Sequence, residues 1–338
     1  MAAQRLLAGQ ELGFDWPVPD NGYRWWYVDA FSDDGSAALT IIVFIGSVFS
    51  PYYFSARRRG NANPRNFCSI NTILYGPDRR RWSMTERGVN DLATTPRSIA
   101  IGPSRVDWLS ARDLRFSIDE RCMPFPTRLS GQVEVELAEA GNDCFALDGR
   151  GEHRWWPIAP QARVKVNMAN PGLSWCGSGY LDSNAGTVPL EQSFAEWHWQ
   201  RSELSDGRGS IFYDSISASG EAHSLSLGFD SMGRVTPSDD IPEDAMVAPT
   251  PVWRAPRRCR IPEGQALHIA TLEDSPFYAR SKLSAEGPGG RRLYMHESLH
   301  LRRFRAPWMQ ALLPFRMPRR ASAGHPWRQA RDGFAPFC

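Results

Sequence analysis

Two short segments of the chain combine acidic, phenolic, imidazole and indole side chains that could form a catalytic site. They are residues 153–157 (HRWWP) and residues 175–184 (WCGSGYLDSN). On a strand, residues two apart point to the same face, so Tyr180 would share a face with Asp182, and His153 with Trp155. An acid, a phenol, an imidazole and an indole can therefore converge from two strands. An Asp beside a Gly-rich turn is more often a turn or capping residue, so the pattern alone does not rank these four residues as a site.

A third segment, from His296 to His300, matches the H-E-x-x-H signature of zinc metalloproteases. That chemistry needs a helix, which brings both imidazoles to one face within reach of one metal. Here the apolar side chains alternate as they do in a strand, where residues four apart are separated by about 13 Å at roughly 3.3 Å per residue. We therefore interpret residues 293–304 as a strand and expect no metal site.

Other catalytic and cofactor signatures are missing from the sequence. It has no G-x-S-x-G nucleophile elbow, no P-loop and no dinucleotide fingerprint, so we expect neither ATP, NAD nor flavin. The six cysteines are scattered without a C-x-x-C pair, which indicates reduced thiols rather than a zinc or disulfide framework. The net charge of only +2 predicts no general affinity for nucleic acid.

The elements that must position these residues are short strands separated by Gly, Pro, Asn and Asp turns. The predicted strands are residues 23–31, 39–45, 69–75, 114–118, 132–137, 163–168, 196–204, 210–217, 224–229 and 293–304. Such spacing predicts sandwiches or barrels rather than βαβ units. The 338 residues exceed the usual size of one domain, and 13 Trp suit large β cores or a pocket for an extended apolar ligand. We predict an all-β fold with an N-terminal β-sandwich domain at 1–186, a C-terminal β-barrel domain at 187–305 and a short basic tail at 306–338.

The C-terminal stretch differs in character from the rest of the chain. A short apolar segment, residues 308–315, lies among arginines. These are Arg302, Arg303, Arg305, Arg316, Arg319, Arg320, Arg328 and Arg331. The combination suits the surface of an anionic membrane, and a solvated, partly disordered tail is the alternative. The first 20 residues show no signal peptide, and the apolar stretch 37–49 is shorter than the roughly 20 residues that span a bilayer. We therefore expect a cytoplasmic protein that associates peripherally with the membrane.

Four longer motifs carry a family resemblance. They are residues 22–30 (GYRWWYVDA), 46–53 (GSVFSPYY), 179–186 (GYLDSNAG) and 197–201 (WHWQR). Together they are similar to the acyclic carotenoid 1,2-hydratases, also called hydroxyneurosporene synthases, over roughly residues 13–305. The wider superfamily resembles two-domain lipocalin-like β proteins, some of them pericyclase-type enzymes with a site between the domains. The resemblance therefore implies that both β domains are lipocalin-like.

The resemblance also implies a reaction and a set of residues. Water would add to the terminal C1=C2 bond of an acyclic carotenoid, such as neurosporene or lycopene, without a cofactor: an acid protonates the alkene and water captures the tertiary carbocation. Asp182 would be that acid, kept protonated by desolvation in an aromatic pocket. Trp155 would face the cation, and Tyr180 and His153 would hydrogen-bond Asp182 or hold the attacking water. A substrate-binding set is implied as well: Trp197, Trp199, Arg201, Tyr213 and Asp214.

Two other functions fit the same sequence. A lipocalin-like cavity rich in aromatic residues would also suit a non-catalytic carrier of lipids or carotenoids, because a fold alone does not prove a reaction. In that case Asp182 would sit on the surface as a turn residue rather than desolvated in the cavity. A cofactor-free cyclase or isomerase of the same superfamily is the second alternative.

Overall fold

The computed structural model describes residues 5–6, 13–76, 80–204, 206–261, 267–287 and 290–320. The strands of the first half are β1 Arg5–Leu6, β2 Tyr23–Ser32, β3 Ala38–Ile45, β4 Cys68–Tyr75, β5 Arg81–Ser83, β6 Leu92–Thr95, β7 Ser98–Ile101, β8 Ser104–Trp108, β9 Asp113–Arg121, β10 Arg128–Leu137, β11 Cys144–Ala146, β12 His153–Asn170 and β13 Leu173–Gly186. The strands of the second half are β14 Phe194–Glu203, β15 Gly209–Ser217, β16 Ala222–Phe229, β17 Val235–Pro237, β18 Asp244–Val247, β19 Arg257–Arg260, β20 Leu267–Asp274, β21 Tyr278–Gly287 and β22 Gly290–His300. The α-helices are α1 Pro51–Arg59, α2 Leu190–Ser193, α3 Leu301–Phe304 and α4 Pro307–Arg316, and Pro64–Asn66 and Val89–Asp91 form 3₁₀ turns.

The first half of the chain forms one long antiparallel sheet. Its strand order is β5-β4-β3-β2-β13-β12-β10-β9-β8-β7-β6, with β1 and β11 paired beside β12. Burial alternates along β9, as expected where one face of a sheet is covered. The strands β2, β3 and β4 are instead buried on both faces. They therefore separate two apolar cores.

The second half forms a seven-stranded antiparallel sheet that packs on the outer face of β2 and β13. Its strand order is β17-β16-β15-β14-β22-β21-β20. The layer between the two sheets, which we call the inter-sheet core, is dominated by aromatic side chains. It includes Tyr23, Trp25, Tyr27, Trp155, Tyr180, Trp197, Trp199, Tyr213 and Leu299. The hairpin of β18 and β19 packs on the opposite face of the second sheet.

The all-β prediction is confirmed, and the predicted strands fall within observed ones with two exceptions. The strand predicted at 196–204 ends one residue earlier, at Glu203. The strand predicted to run to residue 304 ends at His300, and residues 301–304 form α3. The helix α1 was not predicted, although its start carries a capping signal: the Ser50 side chain accepts hydrogen bonds from the N–H groups of Tyr52 and Tyr53, and Pro51 occupies the first turn. The division into domains at residue 186 stays a prediction.

The beginning of the predicted tail is folded. The helix α4 buries Met309 and Leu313 in the inter-sheet core, because these residues lie four apart on one face of the helix. Residues 321–338, with Arg328 and Arg331, lie outside the described residues. Within the described part of the chain, no helix is both long and apolar enough to cross a bilayer.

A buried ion pair joins the two sheets. Arg201 of β14 donates from its Nε atom to Asp29 Oδ1 of β2 over 2.7 Å, and its Nη2 group bonds the same oxygen. The two side chains are 2% and 0% exposed. A charge buried this deeply is tolerated only when it keeps its partner, because its hydration has been lost.

Replacing Asp29 with Ala should therefore destabilise the protein strongly. The Arg201 guanidinium would remain buried without a counter-charge, which costs about 3–5 kcal/mol in the free energy of unfolding. The measurement is unfolding in urea followed by Trp fluorescence. The control is Asp33→Ala, which breaks the solvent-exposed pair of Asp33 with Arg163 and should leave the unfolding midpoint unchanged. Equal effects of the two substitutions would show that the buried pair does not hold the sheets together.

Candidate active site

Asp182 lies within β13 in the inter-sheet core, and two neutral donors hold its carboxyl group. Trp155 Nε1 donates to Asp182 Oδ2 over 2.9 Å, and Tyr180 OH donates to the same oxygen over 2.8 Å. The second oxygen, Asp182 Oδ1, is buried and has no hydrogen-bond partner among the described residues. One oxygen of the carboxyl group is thus fixed, while the other is free to carry a proton.

Strand pairing produces this arrangement. Tyr180 and Asp182 are two residues apart on β13 and share a face. Trp155, on β12, pairs with Asn184 of β13 and therefore reaches the same face. On the other side, Tyr27 of β2 lies directly opposite Asp182. The structure brings together three of the four residues singled out in the sequence.

Burial governs the protonation of Asp182. The loss of water raises the pKa of this carboxyl well above its ordinary value of 3.8, and the hydrogen bonds from Trp155 and Tyr180 act in the opposite direction. The nearby carboxyl groups of Glu297 and Asp29 raise the pKa of Asp182 further. A carboxylic acid in this environment keeps its proton at pH values where an exposed Asp has lost it.

His153 does not hydrogen-bond Asp182, contrary to one of its two predicted roles. Its Nδ1 atom is hydrogen-bonded to Tyr23 OH at 2.8 Å, and its buried Nε2 atom has no hydrogen-bond partner in the described part of the chain. The reason is the strand register, which places His153 opposite Gly186, four residues beyond Asp182. Burial lowers the pKa of His153 to about 4, so the ring is neutral near pH 7. A role in holding water stays a prediction.

Three of the five residues predicted to bind substrate surround the acid. Trp199 packs against Tyr180 with ring centroids 5.2 Å apart, and Tyr213 packs against Trp155 at 5.4 Å. Trp197 contacts Tyr213 at 5.6 Å. These rings form an aromatic shell on the side of the site that the second sheet provides.

The other two predicted binding residues are engaged elsewhere. Arg201 shares the inter-sheet face but bonds Asp29, as described above. Asp214 points to the opposite face of the second sheet, because it is adjacent to the inward-facing Tyr213 on the same strand. There Asp214 pairs with Arg260 at 2.9 Å. The structure therefore places the Asp214 side chain away from the inter-sheet core, and its part in substrate binding stays a prediction.

A second polar group, which was not predicted from the sequence, lies beside the acid. Tyr27 OH donates to Glu297 Oε1 over 2.8 Å, and Arg280 bonds the same carboxylate oxygen through Nε and Nη2 at 3.0 and 2.6 Å. The partners of Glu297 thus include an arginine, whereas the partners of Asp182 among the described residues are neutral donors. The sequence did contain a signal for Glu297, because on a strand its side chain points to the opposite face from His296 and His300.

The H-E-x-x-H segment lies in β22, as the alternation predicted. Glu297 faces the inter-sheet core, while His296 and His300 face the β18–β19 hairpin, where their Nε2 atoms bond the carbonyl oxygens of Arg258 and Pro256 at 2.7 and 2.9 Å. In the described ranges, no group of three or more His, Cys, Asp or Glu side chains has a geometry that could hold a metal ion.

An apolar cavity of about 210 Å³ lies next to the site, under α4. Its walls include Phe49, Trp82, Phe277, Met309 and Leu313, with Arg280 and Glu273 among the few polar groups. Arg280 bonds Glu297, which Tyr27 also bonds, and Tyr27 lies opposite Asp182. The hydrogen-bonded group of Arg280, Glu297 and Tyr27 therefore stands between the cavity and the acid.

Several known proteins are similar to this chain in sequence or in fold. A family model described as "Carotenoid hydratase CrtC" matches residues 41–326. The acyclic carotenoid 1,2-hydratase of Thiocapsa roseopersicina is 44% identical over 307 residues, which cover 90% of this chain and 75% of that protein. The enzyme of the same name from Rhodobacter capsulatus is 36% identical over 287 residues, covering 84% and 99%. A solved structure from Nitrosomonas europaea, described as an AttH protein, shares the fold with a TM-score of 0.58 at 14% identity, covering 88% of this chain and 97% of that one.

The raised pKa of Asp182 predicts a pH-dependent cost in stability. Between about pH 4, where an unfolded Asp titrates, and the higher pKa of the folded state, the native protein binds one more proton than the unfolded chain. Stability therefore falls as the pH rises through this window. Asp182→Asn removes the titrating group, so the variant should gain thermal stability over the wild type as the pH is raised from 5 to 8.

The matched control is Asp33→Asn. The hydrogen bond from Arg163 lowers the pKa of Asp33, so this substitution should give no such gain at higher pH. Thermal unfolding of the three proteins at each pH provides the measurement. If the melting temperatures of the wild type and Asp182→Asn changed in parallel with pH, this would contradict a raised pKa at Asp182.

Proposed function

The chain belongs to the carotenoid hydratase CrtC family, and from that premise we propose that it adds water to the terminal C1=C2 bond of acyclic carotenoids with Asp182 as the proton donor. The single observation that carries the proposal is the asymmetry of this carboxyl group. Oδ2 accepts two hydrogen bonds from neutral donors, while the buried Oδ1 accepts none from the residues that the structure describes. An acid of this kind can present a proton to an alkene, which offers no hydrogen-bonding atom of its own.

The reaction then follows in two steps. The proton on Asp182 Oδ1 moves to C2 of the alkene, where a C–H bond forms, and the double bond becomes a tertiary carbocation at C1. Trp155 and Tyr180 stabilise the carboxylate as its charge develops, since both donate to Oδ2. Water attacks C1, and its surplus proton returns to Asp182. One H and one OH have then been added, and the acid is restored.

The aromatic shell can stabilise the carbocation intermediate. A cation close to the faces of electron-rich rings gains about 2 kcal/mol or more when it is desolvated. Trp155, Trp199 and Tyr213 lie around the acid and are buried. We assign to these rings the stabilisation of the carbocation until water arrives.

The proposal requires no cofactor. Hydration leaves the overall oxidation state of the carotenoid unchanged and transfers no activated group, so a proton and a water molecule suffice. A non-catalytic carrier, by comparison, would need an apolar cavity but no desolvated acid. The burial of Asp182 between two donors therefore favours the hydratase over the carrier.

The cavity beside the site is large enough for only part of the polyene chain. Its volume of about 210 Å³ is below the roughly 300–1,000 Å³ of pockets that enclose drug-sized ligands. We assign to it the section of chain next to the reacting end rather than a whole carotenoid. Movement of the Arg280–Glu297 pair would connect this cavity with Asp182.

Asp182→Asn should reduce the rate of hydration by about 10²–10⁴-fold, the usual contribution of a general acid. The amide keeps the size of the carboxyl group but cannot donate the proton to carbon. The assay is the incubation of purified protein with lycopene in detergent and ¹⁸O-labelled water, without added cofactor, followed by mass spectrometry of the product. Asp33→Asn should retain full activity. Normal turnover by the Asp182 variant would refute the assignment.

The substitution Tyr180→Phe tests the hydrogen bond that Tyr180 donates to Asp182 Oδ2. Loss of this hydrogen bond raises the pKa of Asp182 further, so the alkaline limb of the pH–rate profile should move to higher pH. The rate on the plateau should fall by about tenfold, because one charge-assisted hydrogen bond is lost as the carboxylate forms. The control is Tyr53→Phe, which removes another buried hydrogen bond, to Gly22 O, far along the chain from Asp182. An unshifted limb in Tyr180→Phe would exclude the role in tuning the acid.

A further inference from the structure

The helix α4 is apolar on the face that it presents to solvent. Trp308, Leu312 and Phe315 are exposed, with Phe315 at 74%, and they follow one another at the i, i+4 and i+7 positions of one helical face. Met309 and Leu313 occupy the buried face of the same helix. A helix on the surface of a water-soluble protein normally turns polar residues outward, so this outer face lacks the partner that its composition requires.

A neighbouring loop extends this surface. Trp253 stacks on Trp308 with ring centroids 6.2 Å apart, and both Trp253 and Val252 are exposed. We call the surface formed by Val252, Trp253, Trp308, Leu312 and Phe315 the apolar ridge. Two Trp rings at its edge match the side chains that proteins place at the boundary between water and lipid.

A basic groove runs along the other side of α4. It lies between α1 and α4, has a volume of about 950 Å³, and is lined by Arg58, Arg59, Arg305 and Arg319. No carboxylate of the described residues lines it. Arg319 also pairs with Glu86, whereas the other three form no ion pair within the described part of the chain. The groove therefore offers positive charge that the protein leaves largely uncompensated.

We propose that the apolar ridge and the basic groove together form a docking surface for an anionic lipid bilayer. An apolar helical face can enter the boundary between head groups and acyl chains, while arginines beside it bind lipid phosphates. The two features border the same helix on neighbouring sides. Charge complementarity selects an anionic membrane over a second copy of this chain, whose groove would carry the same positive charge.

The docking surface also leads to the cavity. Leu312 and Trp253 belong to the apolar ridge and line the cavity beside the site. The cavity thus opens where the bilayer would lie, and a water-insoluble polyene would reach it without crossing water. This part of the inference rests on the proposed function, whereas membrane docking itself does not.

The test is co-sedimentation of the purified full chain with vesicles of phosphatidylcholine alone or with added phosphatidylglycerol. The wild type should bind the anionic vesicles at least tenfold more tightly, and salt should weaken this binding. Phe315→Glu should reduce it at least tenfold, and Arg58→Ala about fivefold, as expected from ~1 kcal/mol for each basic residue near an anionic surface. The control is Leu109→Glu, an exposed apolar residue of the β8–β9 turn, at the far side of the first sheet.

Activity measurements separate this inference from the proposed function. Phe315→Glu should hydrate lycopene in detergent at the rate of the wild type but lose most of its activity on lycopene embedded in anionic vesicles. Binding that is unchanged by Phe315→Glu and Arg58→Ala would overturn the docking surface. A wild type that forms dimers without binding vesicles would overturn it too, and would assign the ridge to a second copy. Vesicle binding as expected, without hydration of any carotenoid, would support docking and refute only the proposed function.

Discussion

The burial of one carboxyl group between two sheets is the constraint on which the site depends. Asp182 has lost its water and gained only two neutral donors on one oxygen. Desolvation raises the pKa of the acid, and the two donors lower it. In the proposed reaction, desolvation would keep the proton on Asp182 until it is transferred, and the donors would then stabilise the carboxylate. The same burial should cost stability at neutral pH, where an exposed Asp is ionised.

Three carboxyl groups of the inter-sheet core have different partners. Asp29 is bonded to Arg201, and Glu297 is bonded to Arg280 and Tyr27. Of these three, Asp182 has no arginine among its hydrogen-bond partners in the described part of the chain. Burial raises the pKa of both Asp29 and Asp182, but the Arg201 guanidinium opposes this at Asp29, whereas neutral hydrogen bonds oppose it at Asp182. The arginine pairs also allow charge to be buried in a layer that is otherwise aromatic.

The helix α4 connects the interior with the surface. One face closes the apolar cavity, one borders the basic groove, and the third exposes Trp308 and Phe315. A polyene is poorly soluble in water, so an enzyme that receives it benefits from an uninterrupted apolar path. A single short helix can border such a path only if its residues are apolar on nearly every side, which is the composition of α4 between Trp308 and Phe315.

Three features could be inferred from the sequence: the β architecture, the strand character of the H-E-x-x-H segment and the shared face of Tyr180 and Asp182. Each of these follows from the period of two along a strand, which is a local property. The pairing of strands, by contrast, becomes visible only in the folded protein. It explains why Trp155 reaches Asp182, why His153 bonds Tyr23 instead, and why Asp214 faces away. For Glu297, the sequence indicates the face of the strand but not the groups that this side chain meets. Tyr27 is 270 positions away, and no local pattern specifies that contact, whereas Arg280 lies on the neighbouring strand β21.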